Sequence, residues 1–169
     1  AVVCGGWSAE RELSLNSGKA VLNALLSKHI NAHHFDPQET DISQLRDYDR
    51  VFNVLHGTFG EDGSLQGVLD GFKIPYTGCG VLASAIAMDK FRNRLLWQSL
   101  DLPNVPYVVL NDDSDFAKIE QDFGLPLFAK PAAEGSSVGV VMIENAGELA
   151  QVYPTLKQYH GEILAEKAI

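Results

Sequence analysis

The sequence predicts an α/β chain built as two successive units. Three observations carry this. Short apolar segments alternate with stretches of helical periodicity, the pattern of a parallel, three-layer sheet. Glycine-bearing loops follow those apolar segments, where strands run into turns. A length of 169 residues accommodates one domain and a small second one, with enough core to fold without disulfides.

The elements follow in order. Ala1 to Cys4 is the end of a buried strand that enters a tight loop at Gly5-Gly6. From Arg11 to about Lys28 the pattern is helical, with Leu13, Ser17, Ala20 and Ala24 as one stripe and Val21 and Leu25 beside it. Ala32 to Phe35 is a short strand, and the polar, acidic stretch 36–50 is a surface excursion. Val51 to Leu55 is a buried strand running into the loop His56–Gly63, and Ser64 caps a helix reaching about Phe72. Ile74 to Thr77 is a short strand, Gly78-Cys79-Gly80 a loop, and Val81 to about Leu100 mostly helix, with a domain boundary near 79–88.

The second unit reads as strand (Val105–Leu110), helix (Asp115–Phe123), strand (Leu125–Lys130), Gly/Ser loop, strand (Val138–Ile143), helix (about Ala146–Lys157) and strand (Glu162–Lys167). The last segment, Ile163 to Ile169, is apolar with no polar tail. It is expected to be an open sheet edge able to pair with more chain, which marks the sequence as part of a longer protein.

Composition narrows the function. Hydrophobic residues make up 46% and charged residues 21%, an ordinary globular mix that excludes a disordered chain. No apolar run approaches the ~20 residues of a membrane span, and no signal-peptide pattern is visible. Thirteen Lys and Arg against twenty-two Asp and Glu leave a net charge of −9. That argues against a nucleic-acid binder and suits an enzyme whose few cations gather where an anion binds. Cys4 and Cys79 match no metal spacing and read as reduced thiols of a cytoplasmic protein.

In an open parallel sheet, ligands bind beyond the carboxyl ends of the strands. The loops at 5–10, 56–63 and 78–80 are therefore expected to line one crevice. Glu10 is either a carboxylate favouring the first turn of its helix or the partner of a substrate ammonium. His56 is either a structural histidine or a site residue, the latter favoured by Gly57, Gly60, Gly63, Glu61 and Asp62 around it. His33-His34 reads as a solvated pair. No Ser/His/Asp or Cys/His set has a recognisable spacing, which rejects a hydrolase triad. Lys90, Arg92 and Arg94 are the densest cations of an acidic chain, yet at i, i+2 and i+4 they cannot all share a face. The strongest local feature is Lys130-Pro131 followed by Glu134-Gly135-Ser136-Ser137-Val138-Gly139. It is neither a P-loop nor a dinucleotide fingerprint. It is a plain β-hairpin or a phosphate-covering lid, and the upstream lysine favours the lid.

Taken together, these motifs resemble a known family. Gly5-Gly6-Trp7-Ser8-Ala9-Glu10-Arg11-Glu12-Leu13-Ser14-Leu15-Asn16-Ser17-Gly18 is similar to the amino-terminal signature of bacterial D-alanine–D-alanine ligases. His56-Gly57, Gly60-Glu61-Asp62-Gly63 and Gln66-Gly67 resemble the second signature. Ile74-Pro75-Tyr76-Thr77-Gly78, Ala87-Met88-Asp89-Lys90, Lys130-Pro131 and Glu134 to Gly139 follow in the expected order. The resemblance covers essentially the whole chain, with departures beside the site at Trp7, Thr58, Phe59, Ala132 and Ala133. These bear on substrate affinity more than on reaction class.

The resemblance implies an ATP-grasp architecture. A parallel-sheet pre-ATP-grasp domain spans residues 1–85, and part of an ATP-grasp domain, α+β with an antiparallel sheet, spans 86–169. A carboxy-terminal ATP-grasp domain lies beyond Ile169. It also implies an activity: ATP phosphorylates one D-alanine, and the amine of a second attacks the acyl phosphate, making D-alanyl-D-alanine for peptidoglycan precursors. Glu10 holds the ammonium of the first D-alanine, Ser136 hydrogen-bonds Glu10 and fixes the lid, and His56 orients the first D-alanine. Lys90 and Lys130 bind ATP phosphates, and Gly135, Ser136, Ser137 and Val138 close above them. Glu166, Lys167 and Ile169 border adenine. Magnesium is implied with its ligands beyond Ile169, so no metal site is expected in this chain, and the 169 residues alone are expected to be inactive. The implied protein is a cytoplasmic homodimer with no nucleic-acid or membrane partner. A D-alanine–D-lactate or D-alanine–D-serine ligase, and a non-catalytic ligand-binding fragment, are the alternatives.

Overall fold

The structure is a computed structural model describing residues 1–169. The chain divides into two compact units, Ala1–Ala87 and Met88–Ile169. Each has its own sheet and its own apolar core.

In the first unit, β1 (Val2–Val3) lies between β2 (His34–Phe35) and β3 (Phe52–Asn53), parallel to both. A parallel bridge from Val51 to Tyr76 continues the sheet. Helices α1 (Arg11–Ser27) and α2 (Ser64–Phe72) follow β1 and β3, so the connections from β1 to β2 and from β3 to Tyr76 are helical, while a 3₁₀ turn lies on the crossover from β2 to β3. The core gathers Val3, Phe35, Leu45, Val51, Leu65 and Leu69.

Three expectations for this unit need correction. The stripe Leu13, Ser17, Ala20 and Ala24 is not what α1 buries: Leu13 is 51% exposed, and the buried residues are Ser14 and Gly18. Polar contact and close approach decide this. The Ser14 hydroxyl accepts from Gly5 N at 2.9 Å and donates to the Val54 carbonyl at 2.7 Å. At Gly18 a methyl group would overlap the Cys4 side chain. The stretch 36–50 is not wholly superficial, because a 3₁₀ turn (Ile42–Asp47) drives Leu45 into the core. Ser64 does not cap α2. The N-cap is Gly63 at φ +91°, and the adjacent Asp62 carboxylate accepts from Ser64 N and Phe59 N, both at 2.9 Å.

The predicted long helix after Gly80 is two, α3 (Val81–Met88) and α4 (Lys90–Ser99). They part at Asp89, whose extended backbone and side chain, accepting from Arg92 N, cap α4.

The second unit is an antiparallel sheet in the order β4 (Tyr107–Leu110), β7 (Ile163–Lys167), β5 (Leu127–Pro131), β6 (Val141–Ile143). Leu110, Leu127, Ala129, Ile143 and Ala165 turn to one face, where α5 (Phe116–Phe123) and α6 (Glu148–Leu156) cover them. The alternate residues, among them Phe128, Lys130 and Glu166, take the opposite face. The expected open edge at the last strand is overturned. β7 is interior, paired with β4 on one side and β5 on the other. Its near-continuous apolar run reflects burial within the sheet, not an edge awaiting a partner.

Candidate functional site

Candidate residues gather in both units. In the first, the loop after β1 and the loop after β3 meet. Gly57 has φ +66°, and a side chain there would stand 3.1 Å from Glu10 Oε2 and 3.2 Å from Ser8 Cβ. Only glycine allows the Glu10 carboxylate to lie against the backbone beside His56. Trp7 and Phe59 close the same junction edge to face, with centroids 5.2 Å apart. The third loop adjoins the second, because Gly63 leaves room for the Val81 carbonyl.

Each loop is braced from behind. Gly6 N donates to Asp36 Oδ1 at 3.0 Å, and Arg11 bridges the Gly6 carbonyl (3.0 Å) and Asp36 (2.7 Å). Burial pushes Asp36 up, but its bonds from Arg11, Gly6 N and Gln38 N, with the guanidinium charge, outweigh that and hold it below the usual range. Gly57 N donates to Glu61 at 2.7 Å, and the Gly60 carbonyl accepts from Asn53 (2.8 Å) and Gln66 (2.9 Å).

The chemistry left over is specific. The ion pairs of this unit are Arg11–Asp36 and Arg11–Glu39, and His56 Nδ1 lies 4.0 Å from Glu61. Glu10 stands outside them, so its carboxylate is available to an external cation. His56 Nε2 is buried without a hydrogen-bond partner, a group that a ligand could satisfy. Cys4 is no nucleophile: burial, then the Asp36 charge, pushes its thiol up to about 11. A cavity of about 530 Å³ lined by Ala1, Leu25, Tyr48, Pro75 and Thr77 contains none of these candidates.

In the second unit the cations sort by helix face. Lys90 and Arg94, four residues apart, turn the same way. Arg92 leaves to pair with Asp89 and Glu162 at 2.5 and 2.8 Å. Arg94 and Lys130 both bind the buried carboxylate of Glu166, one on each oxygen. The Lys90 ammonium donates to the Glu134 carbonyl and its backbone N–H to the Ala132 carbonyl (2.9 Å), which ties the start of the Gly/Ser loop to α4. Burial first, then the charge of Lys130, lowers the Lys90 pKa. The Lys90 ammonium, held by a neutral carbonyl and repelled by Lys130, and the Lys130 ammonium, which shares Glu166 with Arg94, form a cationic patch in a chain of net charge −9.

The loop itself joins β5 and β6 as a hairpin. Ser136 and Ser137 are exposed, with left-handed φ of +47° and +63°, a backbone that costs non-glycine residues energy. Its far base is anchored where Gly139 lets Pro131 and Tyr159 approach. Glu166 and Lys167 sit in register opposite Phe128 and Leu127, and Ile169 is fully exposed. No cluster of three or more His, Cys, Asp or Glu side chains able to hold a metal forms. Sequence reasoning left Arg94 out of the site. The available signal was its i, i+4 spacing from Lys90.

The chain resembles known proteins along its whole length. A family model described as D-ala D-ala ligase N-terminus matches residues 31–79, and one described as D-ala D-ala ligase C-terminus matches residues 96–169. A D-alanine–D-alanine ligase of Neisseria meningitidis serogroup A is 57% identical over 171 aligned residues, covering 100% of this chain and 56% of the relative. The chain thus spans little more than half the length of that relative. The crystal structure of D-alanine–D-alanine ligase from Bacillus anthracis superposes with a TM-score of 0.87 at 29% identity, over 99% of this chain and 56% of that one. The same organism's ligase complexed with ATP gives a TM-score of 0.84 at 28% identity, over 99% and 57%. Two models of one family matched in chain order, and a relative aligned along every residue, lead to one conclusion: the chain belongs to the D-alanine–D-alanine ligase family.

Proposed function

We propose that the protein carrying this chain joins two D-alanines at the expense of ATP, yielding D-alanyl-D-alanine for peptidoglycan precursors. The observation that carries the proposal is the pair of ammonium groups, Lys90 and Lys130, at the base of the Gly/Ser hairpin. Phosphoryl transfer demands charge neutralisation and positioning more than covalent help, and these lysines supply both. Gly135, Ser136, Ser137 and Val138 cover the phosphates, and closure keeps water from an activated acyl group. Glu166, Lys167 and Ile169 border the base. In the first unit Glu10 holds the ammonium of the first D-alanine, with His56 orienting that substrate. Ser136 belongs to the same catalytic set, at the exposed tip of the hairpin.

The reading divides the chain functionally into 1–85, for the amino acid, and 86–169, for the nucleotide. A third domain beyond Ile169 would hold the magnesium ligands, and the ion would neutralise phosphate charge there. No helix is long and apolar enough to cross a membrane. We place the protein in the cytoplasm as a homodimer, and a light-scattering mass of twice the chain mass checks the dimer.

The test is ADP release by the full-length protein. Release that depends on D-alanine and not on L-alanine is expected. Equal release with both, or none with either, overturns the proposal. Lys130→Ala and Glu10→Gln should each lower the rate by about 10²-fold or more. Competing D-lactate or D-serine against D-alanine and weighing the product separates the related ligases. The 169-residue chain alone should bind nucleotide without turning it over.

A further inference from the structure

We propose that Arg94 is a positioning residue of the nucleotide site, acting by dividing the charge of Glu166 so that Lys130, though paired with it, keeps a surplus of positive charge for phosphate. The inference rests on the nucleotide site proposed above and extends it to a residue outside that set.

The geometry is a three-member cluster on one face of the antiparallel sheet. Glu166, on the central strand β7, offers one carboxylate oxygen to Arg94 and the other to Lys130. All three side chains are nearly enclosed, with exposures of 10% for Arg94, 10% for Glu166 and 15% for Lys130. Arg94 is locked on every side. Its Nη1 donates to the Val105 carbonyl at 3.4 Å, its carbonyl accepts from Asn104 at 3.2 Å, and its guanidinium lies 5.1 Å from the centre of the Tyr107 ring.

Charge arithmetic then matters. One carboxylate faces two cations, so Lys130 is only partly neutralised, and Lys90 beside it is held by a neutral carbonyl. The cluster keeps a net positive charge aimed at the hairpin. With Arg94 removed, Glu166 and Lys130 would close into a one-to-one ion pair in a poorly solvated place, where charges attract more strongly than in water. Phosphate would then have to displace a carboxylate. The side chain that contacts no phosphate thereby sets the affinity of the one that does.

A double-mutant cycle on the full-length protein tests this, with ATP and inorganic tripolyphosphate as probes and calorimetry as the readout. Arg94→Met should weaken both ligands about tenfold, the loss expected when a closed ion pair competes for the lysine. Adding Glu166→Gln removes the competitor, so the double variant should regain binding of tripolyphosphate, which carries no base for Glu166 to border, to within about threefold of wild type. A merely structural role predicts the opposite, a double variant as weak as Arg94→Met or weaker, and that result overturns the inference. Arg94→Lys keeps the charge that divides Glu166 and should bind within about twofold of wild type. If Arg94→Met does not fold, a tenfold loss in Arg94→Lys is the overturning result. The two proposals fail differently. A wild-type chain that binds neither probe overturns the nucleotide site and this inference together. Wild-type binding with unchanged Arg94→Met affinity overturns the inference alone.

Discussion

Asp36 shows how much a single buried group can carry. It is 1% exposed and receives Gly6 N, Gln38 N and Arg11, so it holds the first glycine loop to the loop after β2. Its folded pKa lies below the ordinary 3.8. The carboxylate therefore contributes stability that is fully present above that value and is lost as pH falls through the folded one. Asp36→Asn should cost about 2 kcal/mol at pH 7, and the gap from wild type in urea unfolding should shrink below about pH 4. Glu120 acts similarly in the second unit. It is buried, and it accepts from Gly147 N at 2.8 Å and Leu149 N at 2.9 Å, supplying α6 with a cap from another helix. Glu120→Ala leaves the buried Leu149 N–H unpaired and takes away the partner of the Gly147 N–H, and a loss of about 2 kcal/mol is expected in the same assay. Gly18→Ala tests packing alone. The added methyl meets the Cys4 side chain, so it should destabilise by about 1–3 kcal/mol despite the better helix propensity of alanine.

Among the elements, α4 and β7 decide the charged cluster of the second unit. The helix gives one face to Lys90 and Arg94 and leaves Arg92 on an exposed network with Asp89 and Glu162. The strand gives one face to the core through Ile163 and Ala165 and the other to the charged cluster through Glu166. Because β7 is hydrogen-bonded on both sides, truncation before Ile163 should expose two strand edges at once. Hydrogen exchange should then show β4 and β5 unprotected while β1 to β3 keep their protection. Loss of protection confined to the last residues would contradict the interior placement.

Across the whole molecule, two cores of different architecture share one chain. Leu65 and Leu69 anchor the first and Leu149 and Leu156 the second, all nearly or wholly buried. Each unit carries one tryptophan, Trp7 in the first and Trp97 in the second. Emission from Trp7→Phe and Trp97→Phe variants therefore follows the units separately. Leu65→Ala should shift only the transition read by Trp7, and Leu149→Ala only that read by Trp97, each by about 2–5 kcal/mol. Coincident shifts in both channels would mean that the two cores melt as one cooperative body.

Much of this was legible in the residues. Periodicity and turn chemistry located α1, α2, α5 and α6 to within a few positions, and the order of glycine loops pointed to the junction where Glu10 meets Gly57. These are local signals, set by the spacing of apolar side chains and by the few residues that tolerate tight turns. The family motifs brought Lys90 and Lys130 into view. Other features were not legible because they depend on contacts between distant segments. Ser14 and Gly18 look like poor choices for a buried helix face until β1 and the Val54 carbonyl are laid against them. An apolar terminal strand reads the same at an edge or in the middle, and only the order β4-β7-β5-β6 distinguishes the two. Arg94 is one cation in a helical run until the fold sets Glu166 opposite it. The sequence by itself determined the fold class, the elements and the residue types of the site. Tertiary structure decided which charges face each other, because that depends on strand order and helix rotation, which no local pattern encodes.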